Sequence, residues 1–440
     1  MTIDGRMLKE LGIEDVGSLF ADIPNDIRKN GIDLPDGLDE HEVVRAVREM
    51  LSSDLNSEKG PCFLGAGIYD HFIPAAVKSI IMRSEFITSY TPYEAEISQG
   101  MLHSIFEYQS LVSELTAMDV VNSSNYDAST ALGEAAAMCH RILPRKRFLI
   151  PEAMSWERKS VLRNYLLGPQ IEAVEYGYDP YTGGLDPDSL TAKVNGDVCG
   201  IYAEVPNFFG TIDPAVLGLK KRFPDVPLVI GVDPISLGLL TPPGEYGADI
   251  VIGEGQSLGS SMNFGGPLLG IFACRKEHVR KMPGRLVGLT RDNTGERAFC
   301  MTLQTREQHI RRSRATSNIC TNEALMAVAA AVYLSVVGPK GLERIARANI
   351  ANARSLMARI DELDGFYAPV FQAYHFNEFV VRTSMRPEKL NKHLARKGII
   401  GGLDLARHVP RMNEHVLFAT TEMHSETDHD RLIAALKEVA

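Results

Sequence analysis

The sequence has few cysteines, and none of them stands in a paired motif. Six cysteines are scattered through 440 residues without a Cys-x-x-Cys pair. This pattern argues against a disulfide framework and a zinc site, and it favours reduced thiols packed as small apolar residues. His424, Glu426 and His429 are close in sequence but near the C-terminal end, where we expect them to be exposed. The sequence therefore predicts no metal site.

The sequence also lacks an excess of positive charge, a long apolar run and a signal peptide. Its 46 basic and 56 acidic residues give a formal net charge of −10, which argues against nucleic acid as a partner. The apolar run 324–337 is shorter than the ~20 residues that a bilayer-spanning helix needs, so it predicts a buried helix. The first residues carry no basic region followed by an apolar core. We therefore expect a cytoplasmic protein without a membrane partner.

Short apolar runs alternate with helical patterns through much of the chain, which predicts a mostly parallel sheet covered by helices on both faces. We expect an N-terminal helical arm (1–62), a large α/β domain (63–322) and a smaller α+β C-terminal domain (323–440). Segment 284–309 is rich in glycine and arginine and predicts a loop that ends in a helix. The strands and helices predicted for the sheet before the central stretch are 128–143, 147–150, 153–167, 171–174, 187–194 and 198–204.

The most informative stretch runs from Pro227 to Arg275. Two apolar runs within it are followed by polar residues: the first ends in Asp233, and Gln256 comes after the second. A glycine-rich turn then leads into a third apolar run. Continuous apolar runs of this length are typical of buried strands in a parallel sheet. The order of strand, carboxylate, strand, polar turn, glycines and strand is the layout of a pyridoxal-phosphate enzyme of the aspartate-aminotransferase type, fold type I.

Enzymes of that type hold the cofactor with a carboxylate and a lysine. The carboxylate keeps the pyridine nitrogen protonated, and the lysine, just after the second strand, forms a Schiff base. Here Asp233 stands at the pyridine-nitrogen position, but no lysine occurs between Lys221 and Lys276. Gln256 occupies the place of the lysine. Because a carboxamide nitrogen is not a nucleophilic amine, no Schiff base can form there.

Four motifs resemble one protein family. Gly253–Gly259 (GEGQSLG) and the turn that follows it are similar to subunit 1 (alpha) of the two-chain glycine dehydrogenase (decarboxylating). That enzyme is the P-protein of the glycine cleavage system. Further matches are Gly65–His71 (GAGIYDH), Tyr90–Gly100 (YTPYEAEISQG) and Val205–Asp213 (VPNFFGTID). The resemblance covers essentially the whole chain, and it departs from the family pattern mildly at Glu94, where the family has glutamine.

The resemblance implies a heteromeric enzyme of the pyridoxal-phosphate-dependent transferase fold. This chain would pair with a glycine dehydrogenase subunit 2 (beta) in an (αβ)2 heterotetramer, with its N-terminal arm against the partner. Pyridoxal phosphate would be bound covalently to the partner and not to this chain. The complex would decarboxylate glycine and pass the aminomethyl group to the lipoyl arm of the H-protein.

The resemblance also indicates residues that would serve the partner's active site. Tyr93 and Glu96 would position glycine or manage protons. In the related cysteine-desulfurase branch of this fold, a threonine at the equivalent place reaches the phosphate site of the neighbouring subunit, so Thr316-Ser317-Asn318 would contact the phosphate of the partner's cofactor. Each set has a structural alternative, because Tyr93 and Glu96 can form a turn and a helix start, and the second segment can cap the long helix after it.

Two further features stay open between a functional and a structural role. The helix that begins at Ala128 would face a cofactor phosphate in pyridoxal-phosphate folds, whereas Asp127 can act as a plain N-cap. His71 could be an acid/base or cofactor-stacking group, or it could make structural hydrogen bonds.

Two other functions stay open on the sequence alone. The chain could be a catalytically silent scaffold or regulator of the same fold. It could also be a stand-alone pyridoxal-phosphate enzyme that uses a displaced lysine such as Lys276, which follows the third strand of the central stretch.

Overall fold

A computed structural model describes residues 5–29, 31–87, 90–409 and 411–440, with only the backbone of Phe264. The chain divides into two compact units, Met1–Asp54 and Leu55–Ala440. Among the described residues the α-helices are α1 (Gly5–Leu11), α2 (Glu40–Leu51), α3 (Ala75–Ile81), α4 (Ser84–Ile87), α5 (Gln99–Thr116), α6 (Ala128–Ile142), α7 (Trp156–Leu167), α8 (Pro187–Lys193), α9 (Leu219–Arg222), α10 (Gln308–Arg311), α11 (Ala324–Asp361), α12 (Pro387–Arg396) and α13 (Glu426–Lys437). The strands are β1 (Val120–Val121), β2 (Arg147–Pro151), β3 (Glu172–Tyr176), β4 (Val198–Val205), β5 (Thr211–Ile212), β6 (Leu228–Val232), β7 (Ile250–Glu254), β8 (Gly270–Cys274), β9 (Leu286–Arg291), β10 (Arg297–Thr302), β11 (Phe366–Tyr367), β12 (Tyr374–His375), β13 (Glu378–Thr383), β14 (Leu403–Asp404) and β15 (His415–Ala419).

The larger unit is built on a seven-stranded sheet with the order β1-β8-β7-β6-β4-β2-β3. The strands from β7 to β3 pair in parallel, and β8 runs antiparallel to both of its neighbours. This topology confirms the predicted α/β fold with a mostly parallel sheet. Because parallel strands end at the same edge, the carboxyl ends of β4, β6 and β7 lie side by side.

The C-terminal part has its own sheet and its own apolar core. Strands pair there in the order β11-β13-β15-β14, all antiparallel. Phe379 of β13 packs in one core with Leu394 of α12 and Leu432 of α13. Strands and helices thus occur together as predicted for this part, while the boundaries at residues 62 and 322 stay predictions.

Successive residues of the central strands enter two different cores. Ile230 of β6 packs in a core with Ala327 of α11, whereas its neighbour Val229 packs in a second core with Leu132 of α6. Every residue of β6 and β7 is buried. Burial on both faces is why these strands read as continuous apolar runs in the sequence.

Helix α11 is longer than the apolar run that predicts it. The run 324–337 opens a helix of 38 residues, which is kinked at Gly338 (φ 62°) and continues through Pro339. By length and composition this helix could cross a membrane. However, Ala330 and Tyr333 are fully buried in the core of the large sheet. The burial of these residues is typical of the core helix of an α/β fold.

The prediction of a loop over 284–309 is wrong, because strands β9 and β10 form an antiparallel hairpin there. The helix predicted at the end of this segment is present as the short α10. On β10, Phe299 and Met301 are buried in a core with Met101 and Ile105 of α5, while the residue between them is half-buried. The alternation of buried and half-buried residues on β10 was not recognised in the sequence, because glycines and arginines dominate the composition of the segment.

We expect Gly210→Ala to destabilise the protein. Gly210 has a φ of 80°, and an added Cβ would lie 1.9 Å from the carbonyl oxygen of Glu378. Left-handed strain and overpacking together should cost about 2–4 kcal/mol in the free energy of unfolding. Gly218→Ala is the matched control, because φ is −90° and no atom lies within 4 Å of an added Cβ. Denaturant midpoints followed by circular dichroism should fall only for the first variant, and equal midpoints would contradict this account.

Candidate functional site

Three polar residues meet where the parallel strands of the large sheet end. Glu204 lies near the end of β4, Asp233 follows β6, and Gln256 follows β7. All three line one cleft, whose space including the open mouth is about 630 Å³. Open α/β sheets bind ligands at this edge. We call this cleft the strand-end cleft.

Asp233 keeps one carboxylate oxygen without a partner. Its Oδ1 accepts the backbone N–H of Ile235 at 2.8 Å. Its Oδ2 is buried and accepts no hydrogen bond from the described residues. Burial raises the pKa of Asp233, and the positive charge that His71 can carry opposes this rise. A buried acceptor of this kind has the chemistry expected at the pyridine-nitrogen position.

Gln256 is locked by hydrogen bonds at both ends of its carboxamide. The side chain is 1% exposed, and Nε2 donates to the carbonyl oxygen of Ser260 at 2.6 Å. Oε1 accepts the backbone N–H of Tyr69 at 3.5 Å. The position expected for the lysine is therefore filled by a rigid, non-nucleophilic group.

Glu254 fills the N-terminus of helix α6. Its carboxylate accepts three backbone N–H groups, those of Ala128 at 3.0 Å, Gln256 at 3.1 Å and Leu269 at 3.0 Å. Burial raises the pKa of Glu254 to about 7. Ala128 is the first residue of α6, so the N–H group expected to meet a phosphate already has a carboxylate partner.

The N-cap interpretation of this helix is confirmed. Asp127 accepts the N–H of Thr130 at 2.7 Å, and Thr130 Oγ1 accepts the N–H of Asp127 in return. With no lysine, and with Glu254 at the helix start, the strand-end cleft does not fit covalently held pyridoxal phosphate.

Two more ionisable groups complete the walls of the cleft. Glu378 of β13 accepts the N–H of Ala66 at 2.5 Å and the hydroxyl proton of Tyr69 at 2.8 Å. Burial raises the pKa of Glu378 to about 7. Arg158 of α7 donates from Nη1 to Glu204 at 2.6 Å. The C-terminal sheet and the large sheet thus meet across this cleft.

Lys276 lies at the opposite edge of the sheet from the cleft. Because β8 runs antiparallel to β7, its last residue Cys274 pairs with Ile250 at the start of β7. Lys276 follows directly, with an exposed side chain. Geometry therefore excludes a stand-alone enzyme that uses Lys276 as its Schiff-base lysine.

Tyr93 belongs to a second cluster, held by Arg285. Arg285 is 7% exposed; its Nη2 donates to the Tyr93 hydroxyl at 2.8 Å, and its Nη1 donates to Asn322 Oδ1 at 3.0 Å. The guanidinium carbon also lies 5.2 Å from the centre of the Tyr93 ring. We call this group of residues (Tyr93, Arg285 and Asn322) the Arg285 cluster. Tyr93 itself is about half exposed.

Two of the other predicted site residues lie near this cluster. Thr316 and Ser317 line a small cavity together with Arg285. Ser317 Oγ donates to Glu134 Oε1 at 2.6 Å, so it is already committed. Asn318 is exposed. Glu96 is exposed in the short 3-10 turn before α5, three residues from Tyr93.

The histidines have structural surroundings. His71 is 5% exposed, and its Nδ1 pairs with Glu422 at 2.9 Å, as the structural alternative predicts. The expectation that the C-terminal histidines are exposed is wrong for His429, which is fully buried, and for His424, which is half-buried. Among the described residues one acidic group, Asp249 with Glu277 and His278, has metal-ligand spacing, but Lys220 pairs with Asp249 at 2.8 Å.

Sequence reasoning missed the residues that hold these side chains in place. Arg285 lay in the segment predicted as a loop. Glu254 lies in the motif Gly253–Gly259, two residues before Gln256, and this position was the signal available in the sequence. No sequence signal indicated Glu378 or Arg158, because their hydrogen-bond partners are distant in sequence.

Comparisons with known proteins identify the family of the chain. The family described as Glycine cleavage system P-protein matches residues 3–436. The chain belongs to the P-protein family. A protein of Thermococcus onnurineus named "Probable glycine dehydrogenase (decarboxylating) subunit 1" is 47% identical over 439 residues, which cover 99% of this chain and 97% of that protein. The protein of the same name from Desulfitobacterium hafniense is 44% identical over 436 residues, with 99% and 97% covered.

A solved P-protein has the same fold over the whole chain. The crystal structure of glycine decarboxylase (P-protein) of the glycine cleavage system, in inhibitor-bound form, is similar with a TM-score of 0.92 at 37% identity, and both chains are fully covered. Lactobacillus brevis glutamate decarboxylase, with a TM-score of 0.67 at 13% identity, shares the fold alone. The predicted fold type I and P-protein family are confirmed. The chain is a subunit of the pyridoxal-phosphate-dependent glycine decarboxylase of the glycine cleavage system, and its fold is that of soluble enzymes.

We expect the stability of the P-protein chain to depend on the charge of Glu378. Burial raises the pKa of Glu378 from 4.5 to about 7, so the folded chain holds a proton that the unfolded chain loses. As pH rises from 4.5 to 7, the parent should therefore lose about 3 kcal/mol of stability from this group. Glu378→Gln should remove that loss.

Denaturant midpoints between pH 5 and pH 8 test the expectation. The stability of Glu378→Gln relative to the parent should increase with pH and level off above 7. Glu414→Gln, which alters an exposed carboxylate beside β15, should follow the parent at every pH. A pH-independent difference between Glu378→Gln and the parent would contradict the assignment.

Proposed function

We propose that this chain is the subunit of a two-chain glycine decarboxylase that carries no cofactor of its own. The filled cofactor position carries the proposal: Gln256 is locked in the place of the lysine, and Glu254 occupies the start of α6. Pyridoxal phosphate then sits on a lysine of the partner, glycine dehydrogenase subunit 2 (beta). The two chains form an (αβ)2 heterotetramer in the cytoplasm.

Pyridoxal phosphate on the partner supplies the electron sink for decarboxylation of glycine. The complex then transfers the aminomethyl group to the lipoyl arm of the H-protein. This chain contributes side chains that line the partner's site, orient glycine and keep water out. In this proposal the Arg285 cluster faces the partner.

Tyr93 and Glu96 are the side chains that we assign to the partner's site. Arg285 fixes the Tyr93 hydroxyl, so Tyr93 can orient a substrate or exchange a proton without losing its position. Glu96 is exposed and makes no hydrogen bond among the described residues. A carboxylate three residues along the chain from a fixed phenol suits proton management at a neighbouring active site.

Thr316-Ser317-Asn318 is assigned to the phosphate of the partner's cofactor. Within the described part of the chain the Thr316 hydroxyl and the Asn318 carboxamide have no hydrogen-bond partner, so both can donate to a phosphate. Ser317 donates to Glu134 and holds the segment in place. Asp233 stands at the vestigial pyridine-nitrogen position and has no role in the partner's site in this proposal.

The N-terminal arm is assigned to the partner interface. In α2, Val43, Val47 and Met50 recur at helical spacing, and all three are exposed. The helix begins with a capping box between Asp39 and Glu42, so it is a stable element. An exposed apolar face on a capped helix favours packing against another chain.

Borohydride reduction of the complex tests where the cofactor is bound. We expect the reduced pyridoxyl group on a lysine of the partner only, because none of the described residues that line the strand-end cleft is a lysine. The measurement is mass spectrometry of tryptic peptides. Gln256→Lys is the companion variant, and the isolated variant chain should not catalyse exchange of carbon dioxide with glycine, because one residue does not supply a complete site. A pyridoxyl-lysine in a peptide of the parent chain would refute the proposal.

Tyr93→Phe and Glu96→Gln should lower glycine–carbon dioxide exchange by the complex about 100-fold or more. Both variants should bind the partner at normal stoichiometry and unfold near the parent temperature, since loss of a helix-start carboxylate costs only ~1 kcal/mol or less. Tyr90→Phe and Glu94→Gln are the controls, because both side chains are exposed on the same segment. Turnover near the parent rate in both site variants would leave this chain a scaffold.

A further inference from the structure

The strand-end cleft keeps polar groups that the fold does not use. Asp233 Oδ2 is a buried acceptor without a donor among the described residues, and Asn377 Nδ2 and Ser257 Oγ are buried without partners there as well. All three residues line the cleft, whose volume is about 630 Å³ when its open mouth is included. Buried polar groups without a partner cost free energy, so their persistence points to a ligand or to ordered water.

Arg158 offers an uncommitted edge to the same cleft. Its Nη1 donates to Glu204, and the guanidinium also lies beside the Tyr202 hydroxyl. A guanidinium carries five N–H groups, so these neighbours do not exhaust it. Nη2 lies on the side of Gly67, where an added Cβ would come within 3.4 Å of it. The planar edge of Arg158 matches a carboxylate.

The charges of the cleft restrict what can bind. One cation, Arg158, stands among four acidic lining residues. Inorganic phosphate would meet Glu254 at the start of α6, so a simple anion is disfavoured. A ligand that carries its own positive charge next to a carboxylate satisfies both Asp233 and Arg158. The four acidic lining residues are Glu204, Asp233, Glu254 and Glu378.

We propose that the strand-end cleft binds a small α-amino acid without covalent chemistry, its ammonium group at Asp233 and its carboxylate at Arg158. The inference goes beyond the proposed function and concerns residues of this chain only. Glycine, the smallest α-amino acid, is the probe. The cleft that no longer fits the cofactor would thus retain a recognition site for an amino acid.

Equilibrium dialysis of the purified full chain, free of pyridoxal phosphate, with isotope-labelled glycine tests this proposal. We expect one saturable site per chain. Methylamine, which lacks the carboxylate, and acetate, which lacks the ammonium group, should each compete at least tenfold more weakly than unlabelled glycine. Inorganic phosphate should not compete. Absence of saturable glycine binding, or equal competition by acetate or phosphate, would overturn the proposal.

Asp233→Asn is the decisive variant. Because Oδ2 has no partner in the described structure, the substitution removes a charge without breaking an internal hydrogen bond at that atom. Glycine affinity should fall about tenfold or more, while the denaturant midpoint stays at or above the parent value. Asp225→Asn, an exposed carboxylate close to β6, should bind like the parent. Unchanged glycine affinity in Asp233→Asn would refute the site.

Arg158→Lys tests the other half of the site. It keeps the positive charge beside Glu204 but loses the planar edge, so glycine affinity should fall while methylamine affinity is unchanged. A parallel loss of both affinities would contradict the assigned orientation. Because dialysis requires neither the partner nor turnover, a negative result here leaves glycine–carbon dioxide exchange by the complex as a separate test of the proposed function.

Discussion

One carboxylate, that of Glu254, joins the three elements on which the centre of the fold depends. It accepts N–H groups from the first residue of α6, from the turn after β7 and from the residue that enters β8. Each of these donors is buried, and each would lose its partner if the carboxylate were removed, at about 1–3 kcal/mol apiece. The same contacts place a negative group where a helix N-terminus would otherwise attract an anion. A single side chain thus organises the sheet edge and closes it to phosphate.

The two clusters of ionisable residues face different surroundings. In the strand-end cleft, Glu254 and Glu378 are almost fully buried, and their partners are groups of the same chain. In the Arg285 cluster, the arginine is buried but the Tyr93 that it holds is half exposed. A buried arginine that fixes the position of a partly exposed tyrosine is the arrangement that a site shared between chains requires.

The sequence predicted the elements whose signal is local. The strands β2, β4, β6 and β7 are apolar runs because both of their faces are buried, and the N-cap at Asp127 is recognisable from neighbouring residues. Contacts between distant segments were not predictable in this way. Glu378 accepts a hydrogen bond from Ala66, which lies 312 positions earlier in the chain, and no residue near either one indicates this contact.

The hairpin of β9 and β10 shows the same limit for secondary structure. Its buried side rests on α5, which lies almost 200 residues earlier in the chain, so the alternation of Phe299 and Met301 has meaning only once α5 is in place. Likewise, the motif Gly253–Gly259 indicates the family and the missing lysine, but not that Gln256 is bonded to Ser260. The absence of a chemical group can be read from sequence, whereas the way its place is filled depends on packing.

Helix α11 connects the two sheets that meet across the cleft. Ala346 lies in the core of the large sheet, and two turns later Ala353 lies in the core of the C-terminal sheet, with regular helix between them. The C-terminal sheet, which carries Glu378, is therefore joined to the large sheet by a continuous helix and not by a loop. Enzymes that close around a substrate usually pivot at loops or at the ends of elements. Here a rigid-body movement of one sheet relative to the other would have to bend α11 between Ala346 and Ala353, so the helix resists a change in the width of the cleft.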